Sequence, residues 1–111
     1  MTWYSRRVRQ RRASAIRREH KRSNVIGERV RAARHLHAPV MTHEHTCQRA
    51  TRLSGYALTR DALVRIENQQ RSAYDYEVIA LSLALGVDVR FLLGLTDDPG
   101  SMTLVPMPED S

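Results

Sequence analysis

The chain has 111 residues, with 18 lysines and arginines against 12 acids and a net charge of +6, a length that suits one small domain and leaves little core for a cleft between two lobes. With 41% hydrophobic residues but only 5% aromatics, the core has to be built from Leu, Val, Ile and Ala, a supply that fits an all-helical bundle. A single cysteine, Cys47, excludes an internal disulfide, no apolar run approaches the roughly 18 residues of a membrane span, and the basic N-terminus lacks an apolar signal segment, so the expected location is the cytoplasm.

Residues 1–23, MTWYSRRVRQRRASAIRREHKRS, form a basic N-terminal arm. Arginines at this spacing suit phosphates or a narrow minor groove, and with Tyr4, Val8 and Ile16 on one side the arm is expected either to be disordered or to become helical on binding. Residues 1–24 hold nine basic residues against Glu19, a net of +8; residues 25–74 carry +4 and residues 75–111 carry −6. A polyanion would be drawn to the first two-thirds and repelled by the last third, the footprint expected of a nucleic-acid binder.

From Asn24, a good N-cap, apolar residues fall at Ile26, Val30, Ala33 and Leu36, the spacing of one helical face, until Pro39 forbids continuation. Thr42 caps a second helix through Cys47, Ala50 and Thr51 towards Leu53, stopped by Gly55. Leu58 and Thr59 open a third helix that carries Asp61 in its first turn, where a carboxylate suits the helix dipole, and Asn68 ends it. Asp75 is expected to cap a fourth helix burying Val78, Leu81, Ser82 and Leu85 and closed by Gly86. Asp88 caps a short fifth helix through Val89, Phe91 and Leu92, closed by Gly94, and residues 99–111 read as a C-terminal tail.

Residues 24–98 resemble the helix-turn-helix family of the phage repressors and Cro proteins, the XRE-like regulators. The matching pieces are NVIGERVRAAR in the first helix, LTRDALVRIENQQR in the third, and DYEVIALSLALGVDVRFLLG across the fourth and fifth. The sequence departs from the family in a longer connection after Arg34, in Cys47, Ala50 and Thr51 where leucines are usual, and in a longer turn, GYAL, before helix three. In these it is similar to a subgroup with a lengthened turn ahead of the recognition helix. The resemblance implies a five-helix bundle whose second helix lies across the DNA backbone and whose third enters the major groove of double-stranded DNA.

With Ala62, Leu63 and Ile66 turned inwards, helix geometry puts Arg60, Asp61, Val64, Arg65 and Asn68 on the outward side of helix three or its flanks. Mapped through the resemblance, Arg60, Asp61, Val64 and Arg65 read base edges and Asn68 holds a phosphate. An arginine can take both acceptors of a guanine, Asp61 can accept from a cytosine amino group, and Val64 can touch a thymine methyl. The expected DNA-binding set is Thr42, His43, Thr59, Arg60, Asp61, Val64, Arg65, Asn68 and Arg71. The resemblance also implies a structural ion pair between Glu67 and Arg34.

Three other readings compete. His35, His37, His43, His45 and Cys47 fall within HLHAPVMTHEHTC and invite a metal-responsive regulator, with His43 and Cys47 one helical turn apart and His37 as a third ligand from the loop. An antitoxin whose acidic tail covers a partner enzyme while its helices bind the operator is a second. A catalytic role finds no acid pair, activated nucleophile or phosphate-cradling glycine loop, so no enzyme, cofactor or metal is expected. Ile79 and Leu83, one turn apart on the outer side of helix four, together with Leu95, Leu104, Val105 and Met107, predict a two-fold homodimer held by the C-terminal helices and tail, which would set two recognition helices about 34 Å apart.

Overall fold

The computed structural model describes residues 22–108, so the expectations for the arm before Arg22 lie outside the described residues. Five helices follow in order: α1 (Gly27–Leu36), α2 (His43–Ser54), α3 (Arg60–Glu67), α4 (Asp75–Leu85) and α5 (Val89–Leu92). There is no strand among the described residues, and no helix among them is long and apolar enough to cross a membrane.

Local chemistry explains most of the boundaries. Thr42 accepts a hydrogen bond from the His45 amide, Thr59 from Ala62 and Asp88 from Arg90, each satisfying an otherwise orphaned N–H in the first turn. Gly55 and Gly86 end α2 and α4 at φ 80° and 68°, in the left-handed region that costs glycine nothing. The termination of α3 is less ordinary. Gln69 adopts φ 59°, its amide donates to the Ile66 carbonyl and that of Gln70 to Arg65, the two bonds of a Schellman closure made without glycine.

Four expectations change. Asn24 is not the residue at the helix boundary; α1 starts at Gly27 behind Ile26, and Asn24 caps from further back, its Oδ1 accepting from the amides of Ile26 and Gly27. Its Nδ2 donates to the carbonyls of Ile66 and Arg71, so one side chain ties the start of α1 to the end of α3. Asp75 is the first residue of α4 and not its cap; Glu77 reaches back to accept from the Tyr74 amide. Ser82 is only half-buried, its hydroxyl donating to the Val87 carbonyl, while Ala80 and Ala84 take fully buried places that had not been expected. Leu36, expected on the buried face of α1, is 47% exposed.

Apart from Phe91, Met41 and Cys47 the core is aliphatic, with Ile26, Val30 and Ala33 from α1 and its lead-in, Ala50 from α2, Leu63 and Ile66 from α3, Leu81 and Leu85 from α4, and Leu92 from α5. The most extensive helix packing joins α2 and α4. Residues 99–108 carry no regular structure, yet they are bound to this body. Met102 packs on the core, the Asp88 amide donates to the Pro99 carbonyl, and buried Arg49 of α2 donates to both Ala84 at the end of α4 and Val105 in the tail.

The contact between the start of α1 and the end of α3 is close enough to reverse a helix-propensity rule. A Cβ at Gly27 would stand 2.5 Å from the Ile66 carbonyl oxygen and 2.8 Å from that of Glu67, both backbone atoms that cannot step aside. Alanine normally improves a helix by about 1 kcal/mol over glycine, but Gly27→Ala is expected to destabilise the fold by about 1–3 kcal/mol, as overpacking does. Urea unfolding of the two proteins measures the sign directly.

Candidate nucleic-acid interface

The outer face of α3 begins with its cap, Thr59, and continues through Arg60, Asp61, Arg65 and Asn68, all exposed, with Val64 half-buried between them. Leu63 and Ile66 on the opposite side are fully buried, and Ala62 packs against the same core from its edge. The helix is therefore fixed in rotation, since turning it would expose two large aliphatic side chains.

Beneath this face lies Glu67, whose side chain is 1% exposed. Arg34 of α1 grips it with two parallel bonds, Nε to Oε2 at 2.7 Å and Nη2 to Oε1 at 2.8 Å, the fork geometry that makes arginine–carboxylate pairs strong. The remaining Arg34 donor, Nη1, goes to the Met41 carbonyl, which anchors the connection leading to Thr42. Arg31 approaches Glu67 from the solvent side and donates to Asn68 Oδ1 at 2.7 Å, and His43 Nε2 stands 3.4 Å from Oε1. Burial alone would raise the Glu67 pKa, but the hydrogen bonds and charge of Arg34, with His43, outweigh it and hold the carboxyl below its ordinary value.

A second buried carboxylate holds the connections on either side of α3. Glu77, fully buried in α4, pairs with Arg71 from the α3–α4 connection and accepts from the Tyr56 hydroxyl of the α2–α3 turn at 3.0 Å. Burial again pushes its pKa up, and Arg71, the Tyr74 amide and Tyr56 bring it down below the usual carboxylate value.

The expected contact residues are thus brought to one region in unequal states. Thr42 is exposed at the start of α2, and His43 is half-buried against Glu67. Arg60 is 60% exposed but pairs with Glu44 at 2.9 Å, and Asn68 has its oxygen occupied by Arg31. Arg71 has its guanidinium committed to Glu77. Sequence reasoning missed Arg31 and Glu44. Arg31 lies one turn before Arg34 on α1, and that spacing, read together with the pairing of Arg34 to Glu67, was the available signal.

The metal reading loses its geometry. Among the described residues no three His, Cys, Asp or Glu side chains come together in a way that would hold an ion. His35 Nδ1 bonds to the Arg31 carbonyl and His37 Nε2 to that of Leu85. Cys47 is buried, and burial first, then the nearby Glu44 charge, pushes its thiol up to about 11, leaving it protonated and a poor ligand. Compared with protein-family models, curated proteins and solved structures, the chain matches none.

Removing the Glu67 charge strands Arg34 in the interior, so Glu67→Gln is expected to cost about 3–5 kcal/mol of stability in denaturant unfolding. A folded-state pKa below the ordinary 4.5 means that the Glu67 contribution is complete above that value and is lost as pH falls through the lower, folded one. Acidification over this window should therefore destabilise the wild type more steeply than Glu67→Gln.

Proposed function

We propose that this protein is a sequence-specific regulator of transcription, acting as a repressor, that binds double-stranded DNA in the manner of the helix-turn-helix proteins its sequence resembles. In this reading α2 crosses the phosphate backbone and α3 enters the major groove. The observation that carries it is the outer face of α3, where two arginines, a carboxylate and a valine stand exposed or half-exposed on a helix locked in place by the buried Arg34–Glu67 pair. A groove reader needs this combination, because base edges are distinguished by donors, acceptors and a methyl group held at fixed positions.

Arg60 and Arg65 take guanine acceptors, Asp61 accepts from cytosine and Val64 meets thymine, which together favour a site containing G·C pairs. Thr42, His43 and Thr59 supply phosphate contacts, and Asn68 donates through its amide nitrogen while its oxygen stays with Arg31. Arg71 is left out of the contact set because its charge is neutralised by Glu77. Arg31, at the edge of the α3 face, takes its place. The arm adds phosphate contacts without sequence choice.

The test begins with selection of bound sequences from a pool of random duplexes. On the selected site, Arg60→Ala and Arg65→Ala should each weaken binding about ten- to a hundredfold and relax the choice at one base pair. Binding of both variants to selected and scrambled duplexes as in the wild type would refute the groove assignment. Deleting residues 1–21 should instead weaken every duplex to a similar degree and flatten the dependence of binding on salt, measured by titration across ionic strengths.

A further inference from the structure

The C-terminal end of α4 is capped from outside the helix. Its last turn carries no basic side chain, although the carbonyls there form the negative end of the helix dipole. His37 bonds to the Leu85 carbonyl, and Arg49 of α2 donates through Nε to that of Ala84 at 2.8 Å. Arg49 is 4% exposed, and its hydrogen bonds among the described residues go to backbone carbonyls alone. A buried charge held by dipoles needs every acceptor within its reach. The second is supplied by the tail, where Arg49 Nη2 donates to the Val105 carbonyl at 2.8 Å.

The sequence offers the tail to a partner, either an enzyme or a second copy; in the structure residues 99–108 lie on their own chain. Three of their carbonyls accept from the body: Pro99 from the Asp88 amide at 2.9 Å, Val105 from Arg49, and Pro108 from Arg52 Nη2 at 2.7 Å. Met102 packs on the core and Met107 is half-buried, while residues 103–106 are exposed. Between the two methionines the chain crosses Gly86 so closely that a Cβ there would stand 3.1 Å both from the Thr103 carbonyl oxygen and from Leu104 Cδ2. Main-chain bonds with a few flexible apolar anchors are the means by which extended peptides are bound. A segment this exposed belongs to the part of a molecule that opens at least cost.

We propose that the junction of α2 with the C-terminal end of α4 is a binding site for an extended peptide, and that residues 99–108 are its resident ligand, held reversibly in cis. Recognition rests on register: Arg49 and Arg52, three residues apart on α2, meet the carbonyls of Val105 and Pro108, three residues apart on the tail, and Met102 takes the apolar seat. When the tail leaves, Arg49 keeps its bond to Ala84 and loses the other. The open site then presents a guanidinium with donors to spare beside uncovered apolar surface. A second protein gains this surface only by displacing the tail with an extended segment whose carbonyls fall in the same register. The inference does not rest on DNA binding, and neither arginine belongs to the proposed DNA contacts.

The experiment uses the whole chain with a protease recognition sequence placed between Asp98 and Pro99, so that one cut makes the tail a separate peptide. An excess of fluorescent synthetic peptide of residues 99–108 should then replace it, with a rise in anisotropy and a roughly micromolar Kd, while thermal melts show the body still folded. The same peptide carrying Met102→Asp should not compete. Arg49→Met should weaken binding at least about tenfold, and so should Gly86→Ala, whose Cβ meets the tail. Gly55→Ala is the control: Gly55 has the same left-handed conformation with nothing within 4 Å, so its substitution carries the backbone cost alone and should leave peptide binding unchanged. If Arg49→Met does not fold, the comparison of Gly86→Ala with Gly55→Ala decides. Unfolding of the body on cutting would overturn the proposal by making the tail part of the core. No binding to a folded body, competition by the Met102→Asp peptide, or equal binding by Gly86→Ala and Gly55→Ala would overturn it as well.

Discussion

A carboxylate with almost no exposure to water has to be neutralised where it stands, and the placement of α3 follows from how this is done for Glu67. Arg34 spends two donors on the carboxylate and its third on Met41, so the group that fixes α3 against α1 also fixes the approach to α2. Arg31 and His43 close the site from two further directions. A buried ion pair of this kind adds little net stability over an apolar replacement, but it tolerates few alternative geometries. Its contribution is to orientation.

Glu77 repeats the arrangement on the other side. The residue before α3 that it holds, Tyr56, and the residue after α3 that it holds, Arg71, come from the two connections that bracket the helix. The eight-residue α3, too short to be stable alone, is thereby suspended between two buried carboxylates, one at its own last turn and one on α4. Asn24 and Gln69 add a third tie at its C-terminal end, next to the bond from Arg22 to Gln69. An exposed face that has to present side chains at fixed positions benefits from this degree of fixing.

What the sequence disclosed and what it withheld divide along the range of the interactions involved. Thr42, Thr59 and Asp88 as caps, and Gly55 and Gly86 as stops, are legible because each acts on backbone within a few residues of itself. The inward faces of α1 and α3 are legible because periodicity is local, and the five helices follow from these signals. Asn24 was seen as a cap but not as a link to the end of α3, because its partners Ile66 and Arg71 are more than forty residues away. Glu77 stands in the first turn of α4, where an acid is ordinary, and nothing near it in sequence announces its burial. Gln69 in a left-handed conformation carries no compositional signal, since glycine or asparagine is the usual mark. The candidate site was legible as a face of α3 and illegible as a network: Arg31, Glu44 and the commitment of Arg71 are all tertiary facts.

The pairing of Arg60 with Glu44 bears on which anions that arginine can accept. Both side chains are well exposed, so the pair opens readily, but the carboxylate does not leave when it opens. It stays on the first turn of α2, a few ångströms from whatever has replaced it. A lone phosphate would bring its own negative charge into that neighbourhood and be repelled, whereas a neutral group offering two acceptors in a plane would not. In the proposed reading Glu44 would filter by charge, making the guanidinium a poorer sensor of phosphates than of uncharged polar edges.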